Sequence, residues 1–288
     1  MEAALRALLA GSRAAGELLV RYQPVVKATD GEPLAVEALV RWRRPDGSMV
    51  PPDLFIGTVE RLGLGGELDE LVLTEALRQM TRWDAAGIRV HRVGVNLGRT
   101  SVLRDDLADV VARACATAGS TPDRLVLEVL EHERLHLDDG ALMRLQGLVD
   151  AGVTLGVDDF GVGYSGVGRL AQLPVGLVKL DRSLLPGAGT SRARSAPDAE
   201  LLITAVTAMA RQTGADVTAE GVETPEQRAV CLRAGVGTIQ GWLFAPAIDG
   251  DAVLDYWRAW SPASGRCPQS APVSAQPADG SPLASSSS

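Results

Sequence analysis

Short apolar runs punctuate this chain, and between them apolar residues recur at the three- and four-residue spacing of helices. The runs ELLVRYQPVV (17–26), LAVEALVRW (34–42), RVGVNL (92–97), RLVLEVL (124–130), VTLGVDD (153–159), GLVKLD (176–181), DVTAE (216–220) and, more weakly, TIQG (238–241) predict strands. Helical patterns fill residues 2–10, 105–118, 138–151, 200–213 and 225–234. PPDLFIGTVERLG (51–63) opens with prolines suited to a first helical turn, and GELDELVLTEALRQMTRWDAAG (66–87) is a long amphipathic helix ended by Gly87.

Strands alternating with helices predict an α/β fold with a parallel sheet. About eight strands over roughly 250 residues fit a TIM-type (β/α)8 barrel better than an open sheet. A doubly wound open sheet stays the alternative, because periodicity does not show closure. From residue 261 the chain turns to Ser, Pro, Ala and Gly and loses the apolar residues a core needs. We therefore divide it into a folded domain, 1–260, and a disordered tail, 261–288. PGAGTSRARSAP (186–197) reads as a long flexible loop.

Composition narrows the chemistry. A chain of 288 residues, 46% of them hydrophobic, buries a sizeable core without disulfide or metal staples. Its three cysteines, Cys115, Cys231 and Cys267, are far apart and form no CxxC pair. That spacing argues against a disulfide framework or a thiolate zinc site, and for a reducing compartment. Cys115 and Cys231 fall in helical patterns, where burial is expected. The opening residues are interrupted by charges, against a signal peptide, and no run is long enough for a membrane span. A net charge of −8 with only three Phe and three Tyr makes a poor binder of nucleic-acid polymer. A small phosphate ligand held through metal ions is compatible with it.

The candidate chemistry lies where the strands end. Alternation puts Glu37, Leu39 and Arg41 on one face, Asn96 closes RVGVNL, and Glu128 interrupts an apolar segment. Asp158 and Asp159 end one strand, Lys179 sits late in the next, and Glu220 ends DVTAE. Each alone has an ordinary explanation: a turn former, a helix cap, or, for Lys179, a surface lysine with its stem along apolar surface. Together they are different, because the C-terminal ends of parallel barrel strands converge on one rim. Carboxylates crowded there raise one another's pKa, and divalent cations relieve the repulsion. An all-oxygen donor set suits Mg²⁺ or Mn²⁺. His91, His132 and His136 fall outside this set and read as solvent or loop residues. Two metals about 3.5–4 Å apart are a known means of cleaving phosphodiesters. Asp158 suits a bridging carboxylate, and Lys179 suits a group that orients the water or stabilises developing charge.

YQPVV (22–26), EALVRW (37–42), VNLG (95–98), LEVLE (127–131), DDFGVGYSG (158–166), VKLD (178–181), AEGVET (219–224) and QGWLF (240–244) occur in this order. In them the chain resembles the EAL-domain cyclic di-GMP phosphodiesterases over residues 3–260. The resemblance implies a modified TIM barrel with its first strand antiparallel, and hydrolysis of cyclic di-GMP to linear 5′-pGpG. It implies Glu37, Asn96, Glu128, Asp158 and Asp159 as metal ligands, Glu220 as ligand or general base, and Lys179 at the catalytic water. Gln23, Arg41, Glu223 and Gln240 would contact the nucleotide, Arg41 on a phosphate. Glu131 would anchor the glycine-rich loop after DDFG. A bacterial cytoplasm and dimerisation through that loop come with the resemblance.

The chain departs from the family pattern at Leu130 and Val162, where the family has Thr, and at Gly98 and Gly166, where it has Ser. Lost hydroxyls near the loop can misplace metal ligands. A second reading is therefore a catalytically weak or inactive cyclic di-GMP receptor that signals through a protein partner. A scaffold that binds no nucleotide is the poorer reading, because buried carboxylates without metal or ligand are costly.

Overall fold

The computed structural model describes residues 1–130, 137–161, 173–187 and 195–260. Its first two strands, β1 (Glu17–Lys27) and β2 (Pro33–Arg43), form an antiparallel hairpin with Gln23 opposite Glu37. A short strand, β3 (Met49–Val50), adds to the far end of β2. The sheet continues in parallel from β2 through β4 (Arg92–Leu97), β5 (Leu125–Leu130), β6 (Thr154–Phe160), β7 (Val175–Leu180), β8 (Asp216–Ala219) and β9 (Thr238–Ile239). β9 then pairs antiparallel with β1 at Val26–Ile239 and Lys27–Thr238. The ring is closed, with β1 running against both of its neighbours. Closure excludes the open sheet, and the antiparallel first strand matches the expectation.

The helices are α1 (Glu2–Leu9), α2 (Pro52–Arg61), α3 (Gly65–Ala85), α4 (Arg99–Val102), α5 (Leu107–Ala118), α6 (Asp139–Asp150), α7 (Ala196–Gln212), α8 (Pro225–Arg233) and α9 (Gly250–Ala259). They lay apolar stripes on the outer face of the barrel, where Phe55, Leu73, Leu77, Met80 and Trp83 are buried against strand residues such as Leu125 and Leu127. Cys115 and Cys231 are buried and free, as expected. Among the described residues, no helix is long and apolar enough to cross a membrane. The tail, 261–288, and Cys267 within it lie outside the described residues.

Three features escape the periodicity. α7 starts at Ala196, inside the stretch read as a loop, because the Ser195 hydroxyl accepts the Asp198 N–H and Pro197 sits in the first turn. Residues 188–194 of that stretch lie outside the description. β3 and α4 are too short to leave a period. α9 was not expected; it is tied down by Trp83, whose indole N–H donates to the Gly250 carbonyl at 2.7 Å. Trp83 also meets the Tyr22 ring edge-to-face at 4.9 Å, and Tyr22 exchanges both backbone hydrogen bonds with Ile248.

Trp83 thus joins α3, β1 and the C-terminal helix. Replacing it by Phe removes the donor to Gly250, and urea unfolding is expected to show a loss of about 1–3 kcal/mol. An unchanged midpoint would mean that α9 is held by its apolar contacts alone.

Candidate active site

Strand alternation aims one inward residue at the C-terminal rim from each barrel strand or from the position directly after it: Gln23, Glu37, Asn96, Glu128, Asp158, Lys179, Glu220 after β8 and Gln240 after β9. Lys179 is the centre of this layer, not a surface lysine. It is 2% exposed, and its Nζ lies 2.6 Å from Glu220 Oε1, 2.8 Å from Glu128 Oε2 and 3.3 Å from both Glu37 Oε2 and Asp158 Oδ2. A buried ammonium costs too much alone, and so do four crowded carboxylates; each is tolerable because of the other.

Amides complete the layer. Glu37 Oε1 accepts from Asn96 Nδ2, and Glu37 Oε2 from Gln240 Nε2, both at 2.7 Å. Gln240 Nε2 also donates to Gln23 Oε1 at 3.1 Å, and Gln23 Nε2 to the Ala245 carbonyl at 3.2 Å. Glycine makes the room. A Cβ at residue 94 would collide with Glu128 Oε1, and one at residue 156 would sit 3.3 Å from Glu128 Cγ.

The adjacent aspartates pose a geometric problem, since neighbours on a regular strand face opposite ways. A register shift in the β6–β7 pairing between Val157 and Phe160 solves it, together with a left-handed backbone at Asp159, φ 55°. Aspartate tolerates that conformation better than most side chains. Asp158 Oδ1 accepts the Asp159 N–H at 2.8 Å, so the bulge is held by the carboxylate it re-aims. Two groups of carboxylates result, Glu37–Glu128–Asp158 and Asp158–Asp159–Glu220, each with ligand atoms within 4.8 Å of one another. They share Asp158. All donors are hard oxygens, so the residues fit Mg²⁺ or Mn²⁺.

Protonation follows burial. Burial pushes Glu128 well above the usual carboxylate range; Lys179 opposes this, and Glu37 and Asp158 add to it. Asp158 is raised by burial against the pull of Lys179. Glu220 rises, again chiefly by burial, to about 8. Glu37 alone of the four is held low: burial would raise it, but Lys179, Gln240 and Asn96 together outweigh burial. Burial opposes the charge of Lys179, yet Glu128, Glu220, Glu37 and Asp158 raise it well above its ordinary value.

Two hollows open beside the layer. One, about 250 Å³, is lined by Gln23, Glu37, Asp158, Glu220, Glu223 and Gln240, and closed on one side by Arg182 and Trp242. The other, about 330 Å³, lies between β2, α2 and α3, with Arg41, Asn96, Asp53, Glu60 and Asp69 among apolar walls. Among the described residues Arg41 pairs with no carboxylate; its Nη1 donates to the Val40 carbonyl at 2.8 Å. Sequence reading missed Trp242, 71% exposed in the mouth of the first hollow, and the acidic wall of the second. An exposed tryptophan after the QG pair was the available signal. Leu130 is half-buried in the second hollow, His91 is exposed, and Glu131, His132, His136, Val162 and Gly166 lie outside the described residues.

A family model described as "EAL domain" matches residues 2–247. The chain is 37% identical over 244 residues to the cyclic di-GMP phosphodiesterase NbdA of Pseudomonas aeruginosa, covering 85% of this chain and 30% of that protein. It is 34% identical over 238 residues to the bifunctional diguanylate cyclase/cyclic di-GMP phosphodiesterase MucR of the same organism, covering 83% and 34%. It therefore spans about a third of the length of these relatives. Among solved structures, the PaMucR phosphodiesterase in complex with c-di-GMP matches with TM-score 0.76 and 33% identity, over 86% of this chain and 97% of that one. The EAL domain of Mycobacterium smegmatis DcpA matches with TM-score 0.68 and 29% identity, over 87% and 97%.

Lys179→Met keeps the stem and removes the charge. Without metal, the variant is expected to lose about 3–5 kcal/mol in urea unfolding, part of it regained on adding Mn²⁺. Equal stability of variant and parent in chelator would show that the ammonium is not the counter-charge. A second expectation concerns pH. Below about 8 Glu220 holds a proton that a divalent cation must displace, so Mn²⁺ affinity rises as pH climbs through that value. Calorimetry in buffers of different ionisation enthalpy reads the released proton; a flat profile between pH 6 and 9, spanning about the range where Glu220 would titrate, would contradict the assignment.

Proposed function

The chain belongs to the EAL domain family, and from that premise we propose that it hydrolyses cyclic di-GMP to linear 5′-pGpG with two divalent cations, Mg²⁺ or Mn²⁺. The observation that carries this reading is the pair of carboxylate groups sharing Asp158 around a buried lysine. Glu37, Asn96, Glu128, Asp158, Asp159 and Glu220 would hold the ions. When bound, such ions activate a water and stabilise the attacking and leaving oxygens of a phosphodiester.

The chain's own groups do the rest. Lys179 donates toward the attacking water and, as an ammonium, offsets charge growing on the phosphoryl oxygens. Glu220 lies 2.6 Å from Lys179 and, once the cations have displaced its own proton, is placed to accept the proton the water gives up. The water oxygen bonds to phosphorus as the bond to the ribose O3′ breaks; the O3′ leaves as an alkoxide that takes a proton from solvent to become the 3′-hydroxyl, and the phosphate stays on the 5′ side. Arg41, with a two-pronged donor, holds a non-reacting phosphate. Among the described residues Gln240 Oε1 is buried without a partner, an acceptor ready for a nucleotide donor. The exposed ring of Trp242 offers a face for a guanine to stack on. The carboxylates beside Arg41 suit the donor edge of the other base. Gln23 and Glu223 border the first hollow, and the Glu223 N–H is fixed by Gln227 Oε1 at 2.7 Å. Glu131 would act from outside this set, on the loop after DDFG. The reading sets the reaction in a bacterial cytoplasm and allows two copies to pair.

Leu130 supports the second reading, a receptor with little turnover. It brings a methyl-bearing side chain, where the family pattern has a hydroxyl, to the hollow beside Asn96. Chromatography of cyclic di-GMP after incubation separates the two. We expect 5′-pGpG with Mg²⁺ or Mn²⁺ and none in chelator, and Asp158→Asn should cut kcat by about 10²-fold or more with the far-UV circular dichroism unchanged. Saturable binding without product would select the receptor, and neither binding nor product would sink both.

A further inference from the structure

One inward step below the carboxylates, the barrel is lined by small side chains. Ala35 lies beneath Glu37, Gly94 beneath Asn96, Gly156 beneath Asp158 and Thr218 beneath Glu220. Barrel interiors are ordinarily filled here by layers of branched side chains. The two glycines are already committed to making room for Glu128, so this layer cannot be filled from their strands. What is left is a cavity of about 560 Å³, distinct from the two upper hollows, and within the range of small-molecule sites. Its outer end lies among exposed residues at the opposite mouth of the barrel, His91, Arg92 and Asp216. Its inner end is bounded by Glu128 and Lys179.

The mouth carries two cations. Lys27 is paired with Glu32. Arg92 is exposed and its side chain makes no ion pair or hydrogen bond among the described residues. Val25, Val126 and Leu177 supply apolar walls between mouth and ceiling. The Lys179 ammonium at the inner end is already met by four carboxylates, whereas Arg92 at the mouth is not, so an amphiphilic anion places its head on Arg92 and its apolar body inward.

We propose that this lower cavity is a second ligand site, for a small organic carboxylate whose head pairs with Arg92 and whose short apolar body fills the barrel. Glu128 and Lys179 form the partition between the two chambers. An occupant packed beneath them restricts the same side chains that face the metal-binding groups, and the two sites are coupled through that partition.

Octanoate is a suitable probe, titrated by calorimetry into the full chain. Saturable binding is expected in the parent protein, weaker by about tenfold or more in Arg92→Gln, which removes the fork that holds the head. Ala35→Phe, which fills the cavity from its side, should abolish it, and Trp242→Ala, in the upper hollow, should leave it unchanged. In saturating octanoate the apparent Mn²⁺ affinity shifts severalfold. Binding that survives both lower substitutions, binding that Trp242→Ala weakens, or no binding at millimolar octanoate would overturn the site. An unmoved Mn²⁺ affinity would overturn the coupling. Neither readout requires the chain to hydrolyse cyclic di-GMP, so failure here is separable from failure of the phosphodiesterase reading.

Discussion

A single ammonium set among four carboxylates is the constraint around which the interior is arranged. Lys179 cannot be buried without them, and they cannot be crowded without it. The demand spreads outward through the layer. Gly94 and Gly156 give up their side chains so that Glu128 can reach the lysine. Asn96 and Gln240 spend their amides on Glu37, and it is the one carboxylate of the four held below its ordinary pKa. The other three are raised, chiefly by burial, so each gives up its proton less readily than a carboxylate in water. A divalent cation arriving here meets a site already shaped for positive charge.

This use of the interior moves the burden of stability elsewhere. A barrel whose centre holds charge above and open space below gains little from packing inside. The large buried side chains Phe55, Leu73, Leu77, Met80 and Trp83 all sit on helices and press on the outer face of the sheet. Hydrophobic stabilisation is therefore concentrated in the sleeve between helices and strands, and chemistry in the bore. Apart from Lys179, whose charge the layer needs, substitutions in the bore are expected to act on chemistry more than on the fold.

The strands and most of the helices were legible because apolar spacing is a local property, and a buried face imposes it residue by residue. The carboxylates were legible for a related reason: a charge at the end of an apolar strand is conspicuous. Lys179 was legible as a member of the site but not as its buried counter-charge, since a lysine in a strand reads the same whether it faces water or four carboxylates. Nor could strand alternation reconcile Asp158 with Asp159, because the bulge that turns both toward one site appears only in the pairing with β7. α9 is short and is fixed by Trp83, 167 positions away in sequence, a distance across which periodicity carries no information. The empty layer under the rim is also a property of the closed ring: Ala35, Gly94 and Gly156 look like unremarkable strand residues until they are seen side by side.

The seam between β1 and β9 has a consequence for the order in which the molecule can come into being. β1 finds β2 at once, a few residues downstream, but the ring shuts only when Thr238 and Ile239 reach Lys27 and Val26. On a ribosome, those residues emerge after nearly every other strand has been made, with Gln240 directly behind them. Without those residues the edges of β1 and β8 that face one another have no partner, and an unpaired edge is the kind of surface that recruits stray strands. A chain that stops short of Thr238 would leave β1 and β8 unpaired along this seam and would lack Gln240, one of the two amides that hold Glu37.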